Sequence, residues 1–465
     1  MPLISSISGI RGTIGGKVND NLTPIDIVKF AAAYGMWIKD SLKINSLNAK
    51  IVIGRDARPS GKIVFELVAH TLNAMGFDVL NLGITTTPTV EMAIPYFNAI
   101  GGIILTASHN PVEWNALKLL NHKGEFISAK EGEKLISFYK SNTAEFATVF
   151  KLGKIYEEMD FLSVHIQKIL ELPYVNKELI EKKSFRIAVD GINSSGEFAV
   201  PELLKSLGIP ENQIFKVQEK MDGWFTHNPE PLKQNLQDLC DLVVQQKCDL
   251  GIAVDPDVDR LVIVNEKGEL FGEEYTLVAV ADYILSFQLG PTVSNLSSSR
   301  ALKDLTETYQ QSYFAAAVGE VNVVEKMKQV NAVIGGEGNG GIILPDLHYG
   351  RDALVGIALF LSFLAKANLT CSELRKKYKH YEMVKDKLEL TSDFPIDSII
   401  KSITEHYANE KITTIDGVKI DFERGWVHLR KSNTEPIIRI YAEAESEIEA
   451  LNLVKQIKNL FISTI

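Results

Sequence analysis

Two hydrophobic patterns alternate along the first part of the chain. The β-branched run 51–53 predicts a strand, the helical spacing of apolar residues across 63–72 predicts a helix, and the run 77–80 predicts a second strand. A turn that contains Pro59 and Gly61 separates the first strand from the helix. This order of elements is that of a βαβ unit.

The same order of elements recurs further along the chain. Residues 185–190 predict a strand, and a glycine-bounded segment, 191–196, separates it from a helix through Leu203 and Leu204. Residues 291–302 repeat the pattern more faintly. Three similar α/β domains are therefore expected.

The last part of the chain has a different character. It turns lysine-rich after residue 374 and then combines short strand patterns at 384–390, 426–429 and 437–441 with a helical pattern at 397–408. This mixture predicts a separate α+β domain that closes the chain. The four predicted domains cover residues 1–150, 151–262, 263–373 and 374–465.

The composition supports several folded domains, since 465 residues, 45% of them hydrophobic, exceed what one core organises. The net charge of −10 argues against a nucleic-acid partner and leaves any small anionic ligand to local basic pockets. Neither a leader pattern nor a long uncharged apolar stretch occurs, so no membrane contact is expected and the cytoplasm is the predicted compartment. The cysteines at 240, 248 and 371 are too few for a disulfide framework or a zinc site and are expected to be core thiols.

The predicted strand at 103–105 ends in an unusual way. It runs into Thr-Ala-Ser-His-Asn-Pro at 106–111, which places Ser108 on a loop directly after buried residues. A side-chain oxygen on such a loop can face a ligand. Serine, asparagine and proline also form ordinary turns, and His109 also suits a solvated loop, so this motif alone leaves both interpretations open.

Three carboxylates stand at every other position after the predicted strand 250–254. They are those of Asp255, Asp257 and Asp259, called the aspartate trio below. Hard oxygen ligands that converge in one turn suit Mg²⁺. A calcium-binding EF-hand fits in part, because Glu266 stands at its twelfth position, but Arg260 replaces the glycine of its sixth position. A solvated acidic turn is the remaining alternative.

Seven residues, Gly335-Gly-Glu-Gly-Asn-Gly-Gly341, follow a predicted strand at 332–334. Their glycine spacing matches the dinucleotide-binding fingerprint, but the chain continues as a strand from 342 rather than as a helix, which argues against a Rossmann site. Glycines allow close approach of the backbone to a ligand, while Glu337 and Asn339 offer the acceptor and the mixed donor that sugar hydroxyls require. A tight hairpin turn is the alternative.

A fourth motif, Arg430-Lys-Ser-Asn-Thr434-Glu-Pro, lies between two predicted strands of the last domain. A guanidinium, two hydroxyls, an amide and exposed loop N–H groups together suit a phosphate, with Arg439 as a nearby helper. A solvated turn is again the alternative.

These four motifs, one to a domain and in this order, resemble those of the α-D-phosphohexomutase family, which includes phosphoglucomutases, phosphomannomutases and phosphoglucosamine mutases. The resemblance extends from Ser8-Gly-Ile-Arg-Gly12 to the last domain. It implies three α/β domains with mixed sheets and a C-terminal α+β domain around a central cleft. It also implies a monomer or homodimer whose partners are small sugar phosphates.

The resemblance assigns a role to the serine of the first motif. Ser108 would carry a phosphoryl group, donate it to a hexose monophosphate and recover one from the other end of a hexose 1,6-bisphosphate, which also serves as activator. One Mg²⁺ per chain would bind the aspartate trio and an oxygen of the phosphoserine, and Arg11 and Arg260 would add positive charge. Lys118 stands where the family keeps a candidate general acid or base, with His109 as the other candidate. A solvated lysine on a strand is the alternative for Lys118.

The resemblance also divides substrate binding between the last two motifs. Glu337 and Asn339 would hold ring hydroxyls. The non-reacting phosphate would be held by Arg430, Ser432, Asn433 and Thr434.

Departures from the family pattern bear on the sugar. Asn339 and Gly341 replace the serine and histidine that many members carry, and the loop 318–322 lacks the histidine often found there, with Glu320 as a substitute. An acidic pair, Glu320 and Glu337, without a basic residue in either loop, favours a 2-ammonium sugar. The predicted reaction is therefore glucosamine 6-phosphate to glucosamine 1-phosphate, and a phosphoglucomutase/phosphomannomutase of mixed specificity is the alternative. A phosphatase and a silent sugar-phosphate-binding protein are the other function classes, and the intact Ser108 argues against the silent protein.

Overall fold

The computed structural model describes residues 4–6, 9–43, 49–141, 143–389, 402–431 and 437–464. Within these residues the strands form four sheets, of seven, four, four and five strands. In spatial order the first sheet holds Ile4–Ser6, Gly9–Thr13, Trp114–Leu120, Gly101–Leu105, Lys50–Arg55, Asp78–Ile84 and Ile155–Glu157. The last four of these run parallel to one another and the first three are paired antiparallel, so the sheet is mixed as predicted.

The second and third sheets repeat a smaller version of this design. The second holds Leu261–Asn265, Leu250–Val254, Ile187–Asp190 and Ile214–Lys216 in spatial order. The third holds Tyr313–Ala316, Thr292–Asn295, Ile334–Glu337 and Gly341–Ile343. In each sheet three strands are parallel, and the last strand along the chain returns antiparallel to the one before it.

Each motif occupies the connection of a β-hairpin. The connections 255–260 and 338–340 each follow the last parallel strand of their sheet, and 106–113 follows the parallel strand Gly101–Leu105. The fourth connection, 432–436, lies outside the described residues, although both of its flanking strands are described. Because ligands of α/β sheets bind beyond the carboxyl ends of parallel strands, the repeated hairpin puts the first three motifs at equivalent binding edges.

The C-terminal sheet is antiparallel throughout. In spatial order it holds Glu382–Glu389, Ile437–Ala444, Gly425–Lys431, Val418–Phe422 and Lys411–Thr413. These strands include the predicted ones at 426–429 and 437–441. Of the predicted helix 397–408, residues 402–406 are helical and residues 397–401 lie outside the described part of the chain.

Helices cover the sheets, and they begin and end where the apolar spacing changes. The helices around the first sheet are Pro24–Leu42, Gly61–Ala74, Thr87–Tyr96 and Ala129–Ser141. The helices of the second predicted domain are Phe161–Leu170, Lys177–Lys183, Gly196–Ser206 and Gln237–Gln245. Those around the third sheet are Glu273–Leu285, Ala301–Thr308, Glu320–Val330, Ala353–Ala367 and Cys371–Arg375, and Glu447–Thr464 packs on the last sheet.

The hydrophobic cores do not follow the four predicted domains one to one. The first and last domains have cores of their own. The second and third share a large core, whose centre is the helix Ala353–Ala367. This helix is apolar on all sides, which is why it is buried between helices of both domains rather than lying on a surface. The predicted boundaries at 150, 262 and 373 stay predictions.

Two expectations about the chain's chemistry can be compared with the fold. Cys248 and Cys371 are buried, as predicted, whereas Cys240 is only half-buried. Among the helices of the described residues, none is both long and apolar enough to cross a membrane.

Candidate active site

The loop that carries Ser108 turns sharply. Ser108 adopts a φ of 48°, in the left-handed region that non-glycine residues rarely occupy. Its hydroxyl donates a hydrogen bond to Asp255 Oδ2 at 2.7 Å, and its Oγ lies 3.3 Å from Nδ1 of His109. Strain of this kind collects at functional sites, where surrounding contacts hold the backbone in place.

Arg58 supplies those contacts from beneath the loop. It is buried, and its guanidinium donates to the carbonyl oxygens of Ser108 and Asn110, both at 2.6 Å. Its Nε donates to Asp56 Oδ2 at 3.0 Å, and the same oxygen accepts a hydrogen bond from Thr106 at 2.6 Å. The serine loop is thus fixed by a paired, buried charge that the sequence analysis did not identify.

The aspartate trio is fully buried, and one oxygen of each residue lies within 4.8 Å of the others. Asp257 Oδ2 accepts hydrogen bonds from Thr87 Oγ1 at 2.5 Å and from Lys118 Nζ at 2.6 Å. Oδ1 of Asp257 and Oδ1 of Asp259 find no hydrogen-bond partner among the described residues. Buried carboxylate oxygens without a partner are costly unless a cation reaches them, and an all-oxygen set suits Mg²⁺. The trio therefore fits the predicted metal.

Electrostatics within the trio are uneven. Burial, Asp259 and Asp257 raise the pKa of Asp255 well above its ordinary value. Burial would also raise the pKa of Asp259, but Arg351 and Lys118 hold it below its ordinary value. Carboxylates this close do not all ionise readily without a cation between them.

Lys118 lies in the strand Trp114–Leu120 and is 5% exposed, so the interpretation as a solvated lysine is wrong. Its ammonium donates to Asp257 Oδ2 at 2.6 Å and to Asp259 Oδ2 at 3.3 Å. Burial alone would lower the pKa of Lys118, but these two carboxylates raise it above its ordinary value. Lys118 is therefore held in its protonated form in this arrangement.

His109 has the opposite character. Arg260, burial and Arg11 hold the pKa of His109 well below its ordinary value, so its imidazole is neutral near pH 7. Arg11 lies in the strand Gly9–Thr13, and its guanidinium donates to Asn110 Oδ1 at 3.4 Å. Arg260 lies 3.9 Å from Asp259 Oδ1. Both arginines thus stand beside the serine loop and the trio.

The glycine-rich motif forms the tight hairpin that was its alternative interpretation, with the turn at 338–340. The strand spans Ile334–Glu337 rather than the predicted 332–334. A Cβ on Gly340 would lie 2.0 Å from the carbonyl oxygen of Leu261. Glycine therefore allows this hairpin to contact the strand Leu261–Asn265, which follows the aspartate trio. Asn339 accepts a hydrogen bond from its own turn, at Gly341 N, and does not line the cleft described below.

Arg351 joins these parts and was missed by the sequence analysis. Its guanidinium contacts three buried carboxylates, at 3.1 Å from Glu320, 2.8 Å from Glu337 and 2.7 Å from Asp259. The physical basis for an ammonium sugar is weaker as a result, because Glu320 and Glu337 already share a cation. The wholly apolar helix that begins at Ala353 is the signal that could have marked Arg351 as buried.

Of the residues of the fourth motif that were predicted to hold a phosphate, Arg430 is the one that lies within the described part of the chain. It lies in the strand Gly425–Lys431, paired in register with Arg439, and its Nη1 is 3.4 Å from Asp416 Oδ2. Ser432, Asn433 and Thr434 lie outside the described residues.

One cleft of about 270 Å³ brings these residues together. It is lined by Arg11, Ser108, His109, Lys118, Arg260, Glu320, Glu337, Arg351 and Arg430. All four predicted domains contribute to the lining of the cleft, and most of its charged groups are cationic. The buried aspartate trio lies directly behind Ser108 and Lys118. Such a cleft suits a small, doubly anionic ligand beside a divalent cation.

Comparison with known proteins agrees with this architecture. The profiles of the phosphoglucomutase/phosphomannomutase α/β/α domains I, II and III match residues 5–146, 163–268 and 272–381, and the C-terminal domain profile matches residues 369–460. Together these profiles describe a class of four-domain sugar-phosphate isomerases that transfer phosphate within the molecule.

Individual relatives place the chain within that class. It is 34% identical to a phosphoglucomutase/phosphomannomutase of Thermococcus kodakarensis, with 94% of this chain and 95% of that one covered. It is 32% identical to a phosphoglucosamine/phosphogalactosamine mutase of Sulfurisphaera tokodaii, with 97% of each chain covered. A crystal structure of a phosphoglucomutase/phosphomannomutase family protein from Burkholderia thailandensis shares the fold, with a TM-score of 0.85, 22% identity and 99% and 98% coverage. The chain belongs to the α-D-phosphohexomutase family, and it is a phosphohexomutase.

Proposed function

We propose that the protein interconverts hexose 6-phosphates and hexose 1-phosphates through a phosphoserine at Ser108. The observation that carries this proposal is the Ser108 hydroxyl, which lies at 2.7 Å from Asp255 in a cleft lined by all four predicted domains. A loop serine held by Arg58, with no apolar packing role, is suited to carry chemistry.

The reaction has two balanced halves. In the first, a hydroxyl of the hexose monophosphate attacks the phosphoserine, the bond between phosphorus and Ser108 Oγ breaks, and a bisphosphorylated sugar forms. In the second, Ser108 Oγ attacks the phosphorus at the other end of the sugar, the bond between that phosphorus and the sugar oxygen breaks, and the proton of the serine hydroxyl passes to the sugar oxygen by way of the acid and base groups. Phosphoryl transfer depends mainly on positioning and on neutralising charge, which is what the arginines and the trio supply.

Mg²⁺ would be held by the aspartate trio together with a phosphoserine oxygen and would neutralise negative charge on the transferred group. The chain's own residues complete the environment. Arg11 and Arg260 stand beside the serine loop as further positive charges.

Proton transfer has two candidate groups with different properties. His109 is neutral near pH 7 and 3.3 Å from Ser108 Oγ, so it suits the acceptance of a hydroxyl proton. Lys118 is kept protonated by Asp257 and Asp259, so it suits proton donation to the oxygen that leaves. Both groups line the cleft.

Substrate binding is proposed to use one fixed phosphate position. Arg430, with Ser432, Asn433 and Thr434, would hold the phosphate that does not react, while Glu337, which lines the cleft, would hold ring hydroxyls. Asn339 is not included in this proposal, because its side chain is bonded within its own turn. The sugar would then turn over between the two half-reactions, so that either end can face Ser108.

The preferred substrate is proposed to be glucosamine 6-phosphate, converted to glucosamine 1-phosphate. The name of the Sulfurisphaera tokodaii relative supports this choice, and the Thermococcus kodakarensis relative supports the alternative of mixed phosphoglucomutase/phosphomannomutase specificity. Because Arg351 shares the charge of Glu320 and Glu337, we expect only about a 10-fold preference for the amino sugar.

Two measurements test these proposals separately. Peptide mapping of the purified protein, incubated with glucose 1,6-bisphosphate, is expected to find one phosphoryl group on Ser108, and its presence only elsewhere would contradict the mechanism. The kcat/KM values for the 1-phosphates of glucosamine, glucose and mannose decide the substrate. A clear preference for glucose or mannose would overturn the choice of sugar and leave the mutase reaction intact, whereas release of free phosphate without isomer would identify a phosphatase.

A further inference from the structure

A second group of metal-binding side chains lies outside the cleft. It consists of His165, His348 and Asp352, called the histidine cluster below, and one nitrogen or oxygen of each lies within 4.8 Å of the others. His165 comes from the helix Phe161–Leu170, and the other two residues precede the buried helix Ala353–Ala367. The phosphohexomutase reaction as proposed makes no use of these residues.

The two imidazoles converge on one carboxylate oxygen. Nε2 of His165 lies 2.9 Å from Asp352 Oδ2, and Nε2 of His348 lies 3.4 Å from the same atom. The other oxygen of Asp352 accepts hydrogen bonds from Leu354 N and Val355 N at the start of the helix, which fixes the orientation of the carboxylate. Three ligand atoms therefore face one point.

The remaining ring nitrogens point at oxygen atoms of the helix Thr87–Tyr96. Nδ1 of His165 lies 2.9 Å from Thr89 Oγ1, which can accept its proton once Nε2 binds a metal ion instead of donating to Asp352. Nδ1 of His348 lies 3.3 Å from Glu91 Oε2. Histidines that bind metals almost always have their second nitrogen held by an oxygen in this way.

Glu91 and His348 are only loosely paired. The contact of Glu91 Oε2 with Nδ1 of His348 is long, at 3.3 Å, and Oε1 of Glu91, which is 2% exposed, makes no hydrogen bond to any described residue. A Cβ on Gly350 would lie 1.8 Å from Glu91 Oε2 and 2.9 Å from Cε1 of His348, so this loop has room for the cluster only because residue 350 is glycine. Glu91 is thus held against the cluster by its contact with His348 and keeps one oxygen without a partner among the described residues.

We propose that the histidine cluster is a second metal site, which binds a divalent transition-metal ion such as Zn²⁺ through Nε2 of His165, Nε2 of His348 and Asp352 Oδ2. Two imidazoles and a carboxylate form a donor set that zinc prefers, whereas the all-oxygen aspartate trio suits magnesium. Water would complete the coordination, and His348, whose side chain is 12% exposed, provides the way in from solvent. Thr89 and Glu91 would orient the two rings.

The site would tie the first three predicted domains together. Thr89 and Glu91 belong to the first domain, His165 to the second, and His348 and Asp352 to the third. The helix Thr87–Tyr96, which carries Thr89 and Glu91, also contacts the aspartate trio, because Thr87 donates a hydrogen bond to Asp257. The expected role is structural, since the cluster does not line the cleft.

The test uses the full-length protein, stripped of metal and titrated with Zn²⁺ or Co²⁺ in the presence of excess Mg²⁺. We expect one equivalent of Zn²⁺ per chain and, with Co²⁺, the visible absorption of a site with nitrogen ligands. His348→Gln should weaken binding by about 100-fold or more. The matched control is His227→Gln, because His227 also bonds to one carboxylate, Asp190, at 2.9 Å but has no second imidazole beside it.

Separate outcomes bear on this site and on the proposed reaction. Asp257→Asn should lose activity yet keep the Zn²⁺ equivalent, and circular dichroism should show that His348→Gln is folded. The proposal is overturned if the wild type takes up no Zn²⁺ or Co²⁺. It is overturned equally if His348→Gln binds as tightly as His227→Gln, or if the bound ion is lost with Asp257→Asn instead.

Discussion

The aspartate trio and the histidine cluster lie on two sides of one helix turn, yet they are built from different donors. Thr87 bonds to Asp257 of the trio, and Thr89, two residues on, bonds to His165 of the cluster. The trio offers oxygen atoms alone and contacts Ser108 and Lys118, which line the cleft. The cluster offers two imidazole nitrogens and one oxygen and stands away from it.

The difference shows that burial alone does not mark a catalytic site. Both groups are largely buried, since only His348 is partly exposed, but the trio alone leaves carboxylate oxygens of its own without partners among the described residues. The two groups differ in their surroundings. Ser108, on its strained loop, and Lys118 contact the trio, whereas the start of the helix Ala353–Ala367 fixes the carboxylate of the cluster. Substitutions around the trio should therefore affect activity, and substitutions around the histidine cluster should affect stability.

The largest effect is expected from Ser108→Ala. Isomerisation should fall by about 10³-fold or more, because the proposed phosphoryl carrier is lost, while the thermal midpoint stays unchanged. A coupled assay for hexose 6-phosphate formation measures the loss. Ser60→Ala, in the turn before the helix Gly61–Ala74, is the control and should remain active. Retained activity in Ser108→Ala would refute the phosphoserine mechanism.

A smaller but still large loss is expected from Asp257→Asn. Removing one charged oxygen ligand should slow turnover by about 100-fold and raise the Mg²⁺ concentration needed for half-maximal activity. Magnesium titrations of the variant and of the exposed control Asp249→Asn measure this. Equal magnesium dependence in both variants, together with indifference to a chelator, would exclude the trio as a metal site.

Arg58→Lys should lower both activity and stability, each to a moderate extent. Lysine keeps the charge but loses the planar group that holds the serine loop, so turnover should fall by about 10-fold and the free energy of unfolding by about 3 kcal/mol. Steady-state kinetics should show a change in kcat larger than that in KM, as expected of a positioning residue. In the control Arg55→Lys, a half-buried arginine of the same segment, both quantities should change little. A drop in KM alone would speak against loop positioning.

The smallest effect is expected from Thr89→Val, which removes an oxygen behind His165. Zinc affinity should weaken by about 10-fold while turnover is unchanged, because Thr89 contacts the histidine cluster and not the trio. Chelator competition measures the affinity. Thr71→Val, which removes another buried threonine hydroxyl of the first domain, serves as control. Equal affinity in both variants would show that Thr89 does not orient the ring.

Most of the fold was predictable because its patterns are local. The predicted strands at 51–53 and 250–254 lie within observed strands, and the polar connections after parallel strands mark where the motifs lie. Shifts occurred where glycines blur the pattern, as in the strand Ile334–Glu337, which includes three residues beyond the end of the predicted strand.

The parts of the site that escaped prediction depend on contacts between distant residues. Arg351 reaches Asp259 across 92 residues, and Arg58 reaches Ser108 across 50. No spacing rule in one sequence pairs such residues, since either arginine alone is typical of a surface loop. His348 and His165 were missed for the same reason, because they come together only through the packing of helices.

The core shared by the second and third domains has a consequence for synthesis on the ribosome. The helices Gly196–Ser206 and Gln237–Gln245 already pack on the sheet around Leu250–Val254 when it forms, but the helix Ala353–Ala367, which packs against Phe161–Leu170, Lys177–Lys183 and Gly196–Ser206, is made later. At ordinary elongation rates a delay of about 100 residues corresponds to roughly 5–20 s. During that interval the outer apolar faces of those helices lack their partner, so this half of the molecule completes its core only after the third domain is made, whereas the first domain completes its own core alone.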